Sequence, residues 1–167
     1  ELGLTPLPMV NMACILANRG HYHQPHILKR FEGESSFAAK KIEVGMPKEN
    51  FEFIINGMVD VYKRGTATAS NFGTFSKAGK TGTIQNPHGE DHSGFICFAP
   101  VENPKIAVAG IIENGGYGSK WAAPIATLLM AKYLESTDTV NQVFAYQAQV
   151  EYLSNQRIYY PNYATKK

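Results

Sequence analysis

The sequence predicts a mixed α/β (α+β) fold, a three-stranded antiparallel sheet covered by helices. Three observations predict it. Three extended segments, Ala78 to Gln85, Ser93 to Pro100 and Lys105 to Glu113, follow one another with only short polar connections. Two segments of helical periodicity precede them, and a segment apolar nearly all round follows. A chain of 167 residues with 44% apolar side chains suits a single domain with a sizeable core.

The first helix is expected over about residues 6–18. Thr5 and Pro6 form an N-cap and first-turn pair, and Leu7, Val10, Cys14 and Ala17 recur at helical spacing, as do Met9, Ala13 and Leu16. Asn18-Arg19-Gly20 supplies the stop. His21 to Phe31 reads as extended, and Glu32 to Met46 as loop with room for a short strand. Pro47-Lys48-Glu49 opens the second helix, which ends at Lys63, Arg64 and Gly65 with cations in its last turn. Its apolar stripe is Phe51, Ile54, Ile55, Met58, Val61 and Tyr62. Gly57 costs such a helix about 1 kcal/mol, and close approach to another backbone is the expected compensation. Gly65 to Lys77 reads as loop.

The three extended segments should pair as a meander. Phe95, Cys97 and Ala99 face one way and Ile96 and Phe98 the other; Ile106, Val108 and Ile112 oppose Ala107, Ala109 and Ile111. Apolar residues on both faces require cover on both faces. Ser119 is the candidate cap of a third helix from about Lys120 to Leu134, with Trp121 and Tyr117 as core anchors. A fourth helix is expected over Val140 to Leu153, followed by a polar, aromatic tail.

Composition excludes several function classes. Net charge is +2, and basic residues come in pairs such as Lys29-Arg30 and Lys40-Lys41 rather than in patches, which excludes a nucleic-acid surface. The longest uncharged apolar run, Trp121 to Ala131, is about half the length that spans a bilayer. Cys14 and Cys97 each lie in an apolar stretch and read as two buried thiols. His21, His23 and His26 have no interleaved Cys, Asp or Glu and read as a strand edge rather than a metal site. His92 reads as structural, Glu90 and Asp91 as solvated charges, and Cys97 as core. The opening Glu1-Leu2-Gly3-Leu4 lacks an initiator Met and leads straight into a helix, as expected of a chain cut from something longer.

Ala78-Gly79-Lys80-Thr81-Gly82-Thr83 carries the chemistry. A nucleotide-binding P-loop would need glycine where Thr74 stands and a helix after Thr81, but Gly82-Thr83-Ile84-Gln85-Asn86-Pro87 cannot build one. The alternative is the Lys-Thr-Gly strand of penicillin-recognising enzymes. In a strand, Lys80 and Gly82 share a face. The lysine supplies a cation, Gly82 leaves room for a substrate backbone, and Thr81 and Thr83 offer hydroxyls and backbone groups to an extended peptide.

The surrounding pieces make this reading specific. Leu4-Thr5-Pro6-Leu7-Pro8-Met9, Asn18-Arg19-Gly20 with Pro25-His26-Ile27, and Gly57-Met58 with Gly65-Thr66-Ala67 come before it. After it come His92-Ser93-Gly94-Phe95-Ile96, Phe98-Ala99-Pro100, Asn103-Pro104-Lys105-Ile106-Ala107-Val108, Glu113-Asn114-Gly115-Gly116 and Ala122-Ala123-Pro124-Ile125-Ala126. In this order they resemble the class B penicillin-binding proteins, the D,D-transpeptidases of peptidoglycan synthesis, and most of all their elongation-type, penicillin-binding protein 2 group. The resemblance covers residues 1 to about 135, leaving 136–167 as a C-terminal helix and polar tail.

The resemblance implies an incomplete transpeptidase fold of the penicillin-binding and β-lactamase kind. It implies that Lys80 meets the substrate carboxylate and aids the proton relay, a charge-assisted bond contributing on the order of 1.5–3 kcal/mol. Thr81 and Thr83, beside Gly82, would bind that carboxylate, and the Thr83 backbone N–H would be an oxyanion donor, its loss costing ~3 kcal/mol. No metal or cofactor is implied. The implied ligands are peptidoglycan stem peptides and β-lactam antibiotics, with a glycosyltransferase and elongation-machinery proteins as partners of a parent anchored in the bacterial inner membrane, this domain in the periplasm. The family needs Ser-x-x-Lys and Ser-x-Asn, yet no serine here is followed by Lys three residues on or by Asn two residues on. The nucleophile is therefore expected upstream, and the chain alone is expected to be inactive. A serine β-lactamase, a D-Ala-D-Ala carboxypeptidase and a non-catalytic β-lactam sensor share the Lys-Thr-Gly strand and stay open as alternatives.

Overall fold

A computed structural model of the chain describes residues 5–27, 39–134, 151 and 155. The expected tail, almost all of the fourth helix and residues 28–38 lie outside the described residues. The element order is α1 (Pro6–Ala17), β1 (His21–His23), β2 (Lys41–Glu43), α2 (Lys48–Lys63), a 3-10 turn (Thr68–Ser70), β3 (Ala78–Ile84), β4 (His92–Ala99), β5 (Ile106–Ile112) and α3 (Ala122–Leu134).

The central sheet has the order β3-β4-β5, antiparallel throughout. Lys80 stands opposite Ile96, Thr81 opposite Phe95, Gly82 opposite Gly94 and Thr83 opposite Ser93. Alternation along β4 divides the core in two, as the sequence requires. Phe95, Cys97 and Ala99 pack with Ala122, Ala123, Ala126 and Met130 of α3, while Ile96 and Phe98 pack with Ala13 and Ala17 of α1 and Phe51, Ile55 and Met58 of α2. The sheet is therefore a middle layer, and each large side chain so buried contributes about 1.5–3 kcal/mol.

The end of α1 is set by local geometry. Arg19 and Gly20 both adopt positive φ, 53° and 113°, and Gly20 N–H donates to Ile15 O at 2.9 Å. Arg19 then ties α1, α2 and the turn after β4 together: its Nη1 donates to Ala17 O at 2.8 Å and Val101 O at 3.0 Å, and its Nε pairs with Glu52 at 2.7 Å. The Ala99-Pro100 peptide bond is cis.

Several expectations are corrected. Thr5 is extended at the N-cap but makes no side-chain cap bond, and Pro6 at the first helical position brings no N–H that needs one. Of the region expected to run extended to Phe31, only His21–His23 forms a described strand, and it pairs with Lys41–Glu43 in a separate ribbon. The stripe of α2 is narrower than expected: Ile54 is 46% exposed, because Phe51, Ile55, Met58 and Tyr62 fill the face against the sheet. Among the described residues Gly57 has no close neighbour from outside its own helix; a Cβ there would meet nothing within 4 Å. Tyr117 is 74% exposed, whereas Trp121 is buried as expected. Cys14 is only partly buried and Cys97 fully so; both are free thiols. Asp91 is tied down rather than solvated, accepting the Asn86 N–H at 3.2 Å.

Helix α3 begins at Ala122, two residues later than expected, and Ser119 does not cap it. The Ala122 N–H instead donates to Ser93 Oγ at 3.1 Å, a hydroxyl on β4.

Candidate functional site

β3 forms one edge of the central sheet among the described residues. Its first residues are buried and its later ones emerge. Ala78 and Gly79 are buried, Lys80 and Thr83 are exposed, and Thr81 and Gly82 are half-buried. The segment is thus an extended edge strand with its lysine in solvent, the arrangement that the Lys-Thr-Gly reading requires and a phosphate-cradling loop does not.

Glycines shape this strand by steric need. A Cβ on residue 79 would lie 2.6 Å from Phe95 Cζ, so Gly79 lets the Phe95 ring sit beneath β3. On the same face, a Cβ on Gly118 would lie 2.3 Å from Gly94 O and 2.7 Å from Gly82 O. The 115–118 loop therefore rests directly on the backbone of the Gly82–Gly94 pair. Gly82 itself is open on the opposite face, where among the described residues a Cβ would meet only Gly94 O at 3.9 Å.

The loop is anchored at several points. Gly116 N–H donates to Asp91 O at 2.7 Å, Ser93 Oγ donates to Tyr117 O at 2.9 Å, and Asn114 N–H donates to His92 Nδ1 at 3.0 Å. Asn86 Nδ2 donates to Asn114 Oδ1 at 2.9 Å, which links the β3–β4 connection to the same loop. His92 is a structural acceptor here, as the sequence suggested.

The polar groups of β3 meet at its open edge. Lys80 Nζ donates to Thr81 O at 2.8 Å. A strand carbonyl reached by an exposed ammonium is directed away from the β4 ladder. The N–H and C=O of a strand residue point the same way, and the pattern repeats every second residue, so the Thr83 N–H shares that edge with Thr81. Thr81 Oγ1 lies 2.8 Å from Thr66 Oγ1. The arrangement can offer a cation, hydroxyls and backbone groups to an anionic extended ligand.

The approach to β3 is held from behind. Lys77 is 6% exposed, its Nζ 4.6 Å from the Phe75 ring centroid and 3.2 Å from Asn71 Oδ1. Ser76 Oγ donates to Glu102 and accepts the Val101 N–H at 2.9 Å. Tyr62 Oη pairs with Thr127 Oγ1 at 2.8 Å, and burial pushes its pKa upward. Burial likewise pushes the Cys97 thiol up to about 12, which suits core and not nucleophile.

The residues singled out in the sequence, Lys80, Thr81, Gly82 and Thr83, all lie on β3. Sequence reasoning missed Gly118 and Lys77, and it noted Ser93 and Thr66 only as parts of matching pieces. His21 and His23 stack edge to face at 5.9 Å on β1, remote in sequence from β3, and among the described residues no group of three or more His, Cys, Asp or Glu could hold a metal.

The Lys-Thr-Gly run thus lies on an edge strand, among the described residues, of a sheet packed between helices. The family described as penicillin binding protein transpeptidase domain matches residues 2–131, and the chain belongs to that family. Among similar proteins, the peptidoglycan D,D-transpeptidase MrdA of Haemophilus influenzae is 32% identical over 153 residues, covering 78% of this chain and 24% of that protein. MrdA of Acinetobacter baumannii is 31% identical, covering 71% of this chain and 20% of that protein. The crystal structure of Pseudomonas aeruginosa PBP2 in complex with WCK 5153 superposes with a TM-score of 0.73 at 35% identity, covering 81% of this chain and 31% of that one. The imipenem acyl-enzyme complex of penicillin-binding protein A from M. tuberculosis gives 0.69 at 25% identity, covering 78% of this chain and 31% of that one. The chain thus spans about a quarter of the length of its curated relatives.

Proposed function

We propose that this chain supplies the Lys-Thr-Gly wall of a peptidoglycan D,D-transpeptidase whose nucleophilic serine, with its Ser-x-x-Lys lysine and its Ser-x-Asn motif, lies in sequence upstream. In this reading residues 1 to about 135 belong to the C-terminal part of the transpeptidase domain. The carrying observation is that Lys80, Thr81 and Thr83 stand together on an open sheet edge, in a chain of the transpeptidase family.

The serine hydroxyl attacks the D-Ala-D-Ala amide carbonyl of a stem peptide. The Thr83 N–H donates to the oxyanion that forms, which is where preorganised donors act most strongly. The terminal D-Ala leaves as an amine after taking a proton, and an acyl ester remains. The amine of a neighbouring stem attacks that ester, the new amide forms, and the serine regains its proton. Lys80 offers its ammonium to the carboxylate end of the donor peptide, and Thr81 and Thr83 offer hydroxyls. Gly82, open on one face, lets the peptide backbone approach. β-Lactams acylate the same serine, and their carboxylate takes the place of the peptide's.

No cofactor enters this scheme. The full-length protein is anchored in the bacterial inner membrane with this domain in the periplasm, where a glycosyltransferase and elongation-machinery proteins are its partners and its work serves cell shape. Among the described residues no helix is long and apolar enough to cross a membrane.

Fluorescent penicillin tests the proposal. The full-length protein should label covalently and this chain alone should not. Lys80→Ala in the full-length protein should slow labelling about tenfold to a hundredfold, the rate equivalent of a charge-assisted bond. Labelling of the isolated chain, or an unaffected Lys80→Ala, contradicts it.

A further inference from the structure

We propose that Thr66 is a positioning residue of this site: its hydroxyl donates to Thr81 Oγ1 and so leaves the Thr81 proton for the ligand carboxylate. The inference rests on the reading of Thr81 as a carboxylate-binding hydroxyl.

The two hydroxyl oxygens are 2.8 Å apart, and in the free protein either can be the donor. A bound carboxylate removes that freedom. A carboxylate only accepts, and a threonine hydroxyl has one proton to give. Once Thr81 donates to the ligand, the bond between the two threonines survives only with Thr66 as donor. The chain Thr66 to Thr81 to carboxylate then runs in one direction, and each bond polarises the next. Without Thr66, the Thr81 hydroxyl would rotate freely or spend its proton on water.

The fold holds Thr66 where this requires. A Cβ on the preceding residue, Gly65, would lie 2.7 Å from Val61 Cα, so that position accepts only glycine as α2 ends. The following residue, Ala67, is 1% exposed in the core beneath α3, and its N–H donates to Val61 O at 3.0 Å. Thr68 Oγ1 donates back to Gly65 O at 2.6 Å, closing the turn. Both neighbours of Thr66 are fixed, and Thr66 itself is exposed beside β3. Nothing in this packing requires a hydroxyl at position 66. Among the described residues, the one polar partner of that side chain is Thr81.

The test measures acylation of the full-length protein by fluorescent penicillin V. Thr66→Val should lower the second-order rate about five- to tenfold, Thr66→Ser should stay near the wild-type rate, and Thr66→Val should add nothing once Thr81→Val is present. Thr66→Ala gives the same comparison should the valine variant fold poorly, and melting temperatures report the folded state of each. A wild-type rate for Thr66→Val and Thr66→Ala beside a slow Thr81→Val overturns this inference and leaves the carboxylate reading intact. So does a Thr66 effect that multiplies with that of Thr81→Val. A wild-type rate for Thr81→Val overturns the carboxylate reading itself, and this inference with it.

Discussion

Ser93 on the middle strand caps Ala122 at the start of α3: its Oγ accepts the Ala122 N–H at 3.1 Å and donates to Tyr117 O at 2.9 Å, fully buried. One hydroxyl thus fixes both the helix start and the loop that lies on β3. Ser93→Ala would leave a buried N–H without its acceptor and should cost roughly 1–3 kcal/mol. Urea denaturation should show a lower midpoint with an unchanged m-value.

Gly118 lies where no side chain fits, between Gly94 O and Gly82 O. Both obstacles are backbone, so Gly118→Ala must displace the loop or β3, at roughly 1–3 kcal/mol. Because β3 bears Thr83, the same variant should acylate more slowly in the full-length protein. A variant equally stable and equally fast would show that the loop does not support the strand.

These contacts mark the limit of what the sequence reveals. β3, β4 and β5 are legible because strict alternation assigns Phe95 and Cys97 to one face and Ile96 and Phe98 to the other, and because short polar connections allow only hairpins. The ends of α2 are legible from Pro47 and from Lys63-Arg64-Gly65, all local signals. Ser119 looked like a cap by proximity, but the acceptor is Ser93, 29 residues earlier, and only the folded sheet brings it to Ala122. Lys80, Thr81, Gly82 and Thr83 were legible as one contiguous motif. The Thr66 contact was not, since its partner is 15 residues away and the matching piece Gly65-Thr66-Ala67 says nothing of it.

Gly57 is a case where the structure reverses an expectation. Among the described residues, no atom from outside α2 lies within 4 Å of a Cβ at that position, so Gly57→Ala fills open space and removes the glycine penalty in α2. Stability should rise by about 0.5–1 kcal/mol, read as a higher melting temperature of this chain. A loss of stability would mean that another backbone does approach that face.

The buried thiol gives a pH signature. Burial raises the Cys97 pKa from 9.0 to about 12 in the folded chain. A group raised on folding stabilises fully below its unfolded value and loses that contribution as pH climbs through the folded one. Stability should therefore fall between about pH 9 and about pH 12, with Cys97→Ala lessening the fall. Alkylation of the native protein at neutral pH should modify Cys14, which is only half-buried, well before Cys97.

The central claim is that β3 is the wall against which the acyl group lies. A crystal structure of the full-length protein acylated by a penicillin tests it most directly. The predicted result has the acyl carbonyl oxygen about 2.7–3.1 Å from the Thr83 backbone nitrogen, with the penicillin carboxylate on Thr81 Oγ1 and Lys80 Nζ released from Thr81 O. An acylated serine whose ligand touches none of Lys80, Thr81 and Thr83 would contradict it.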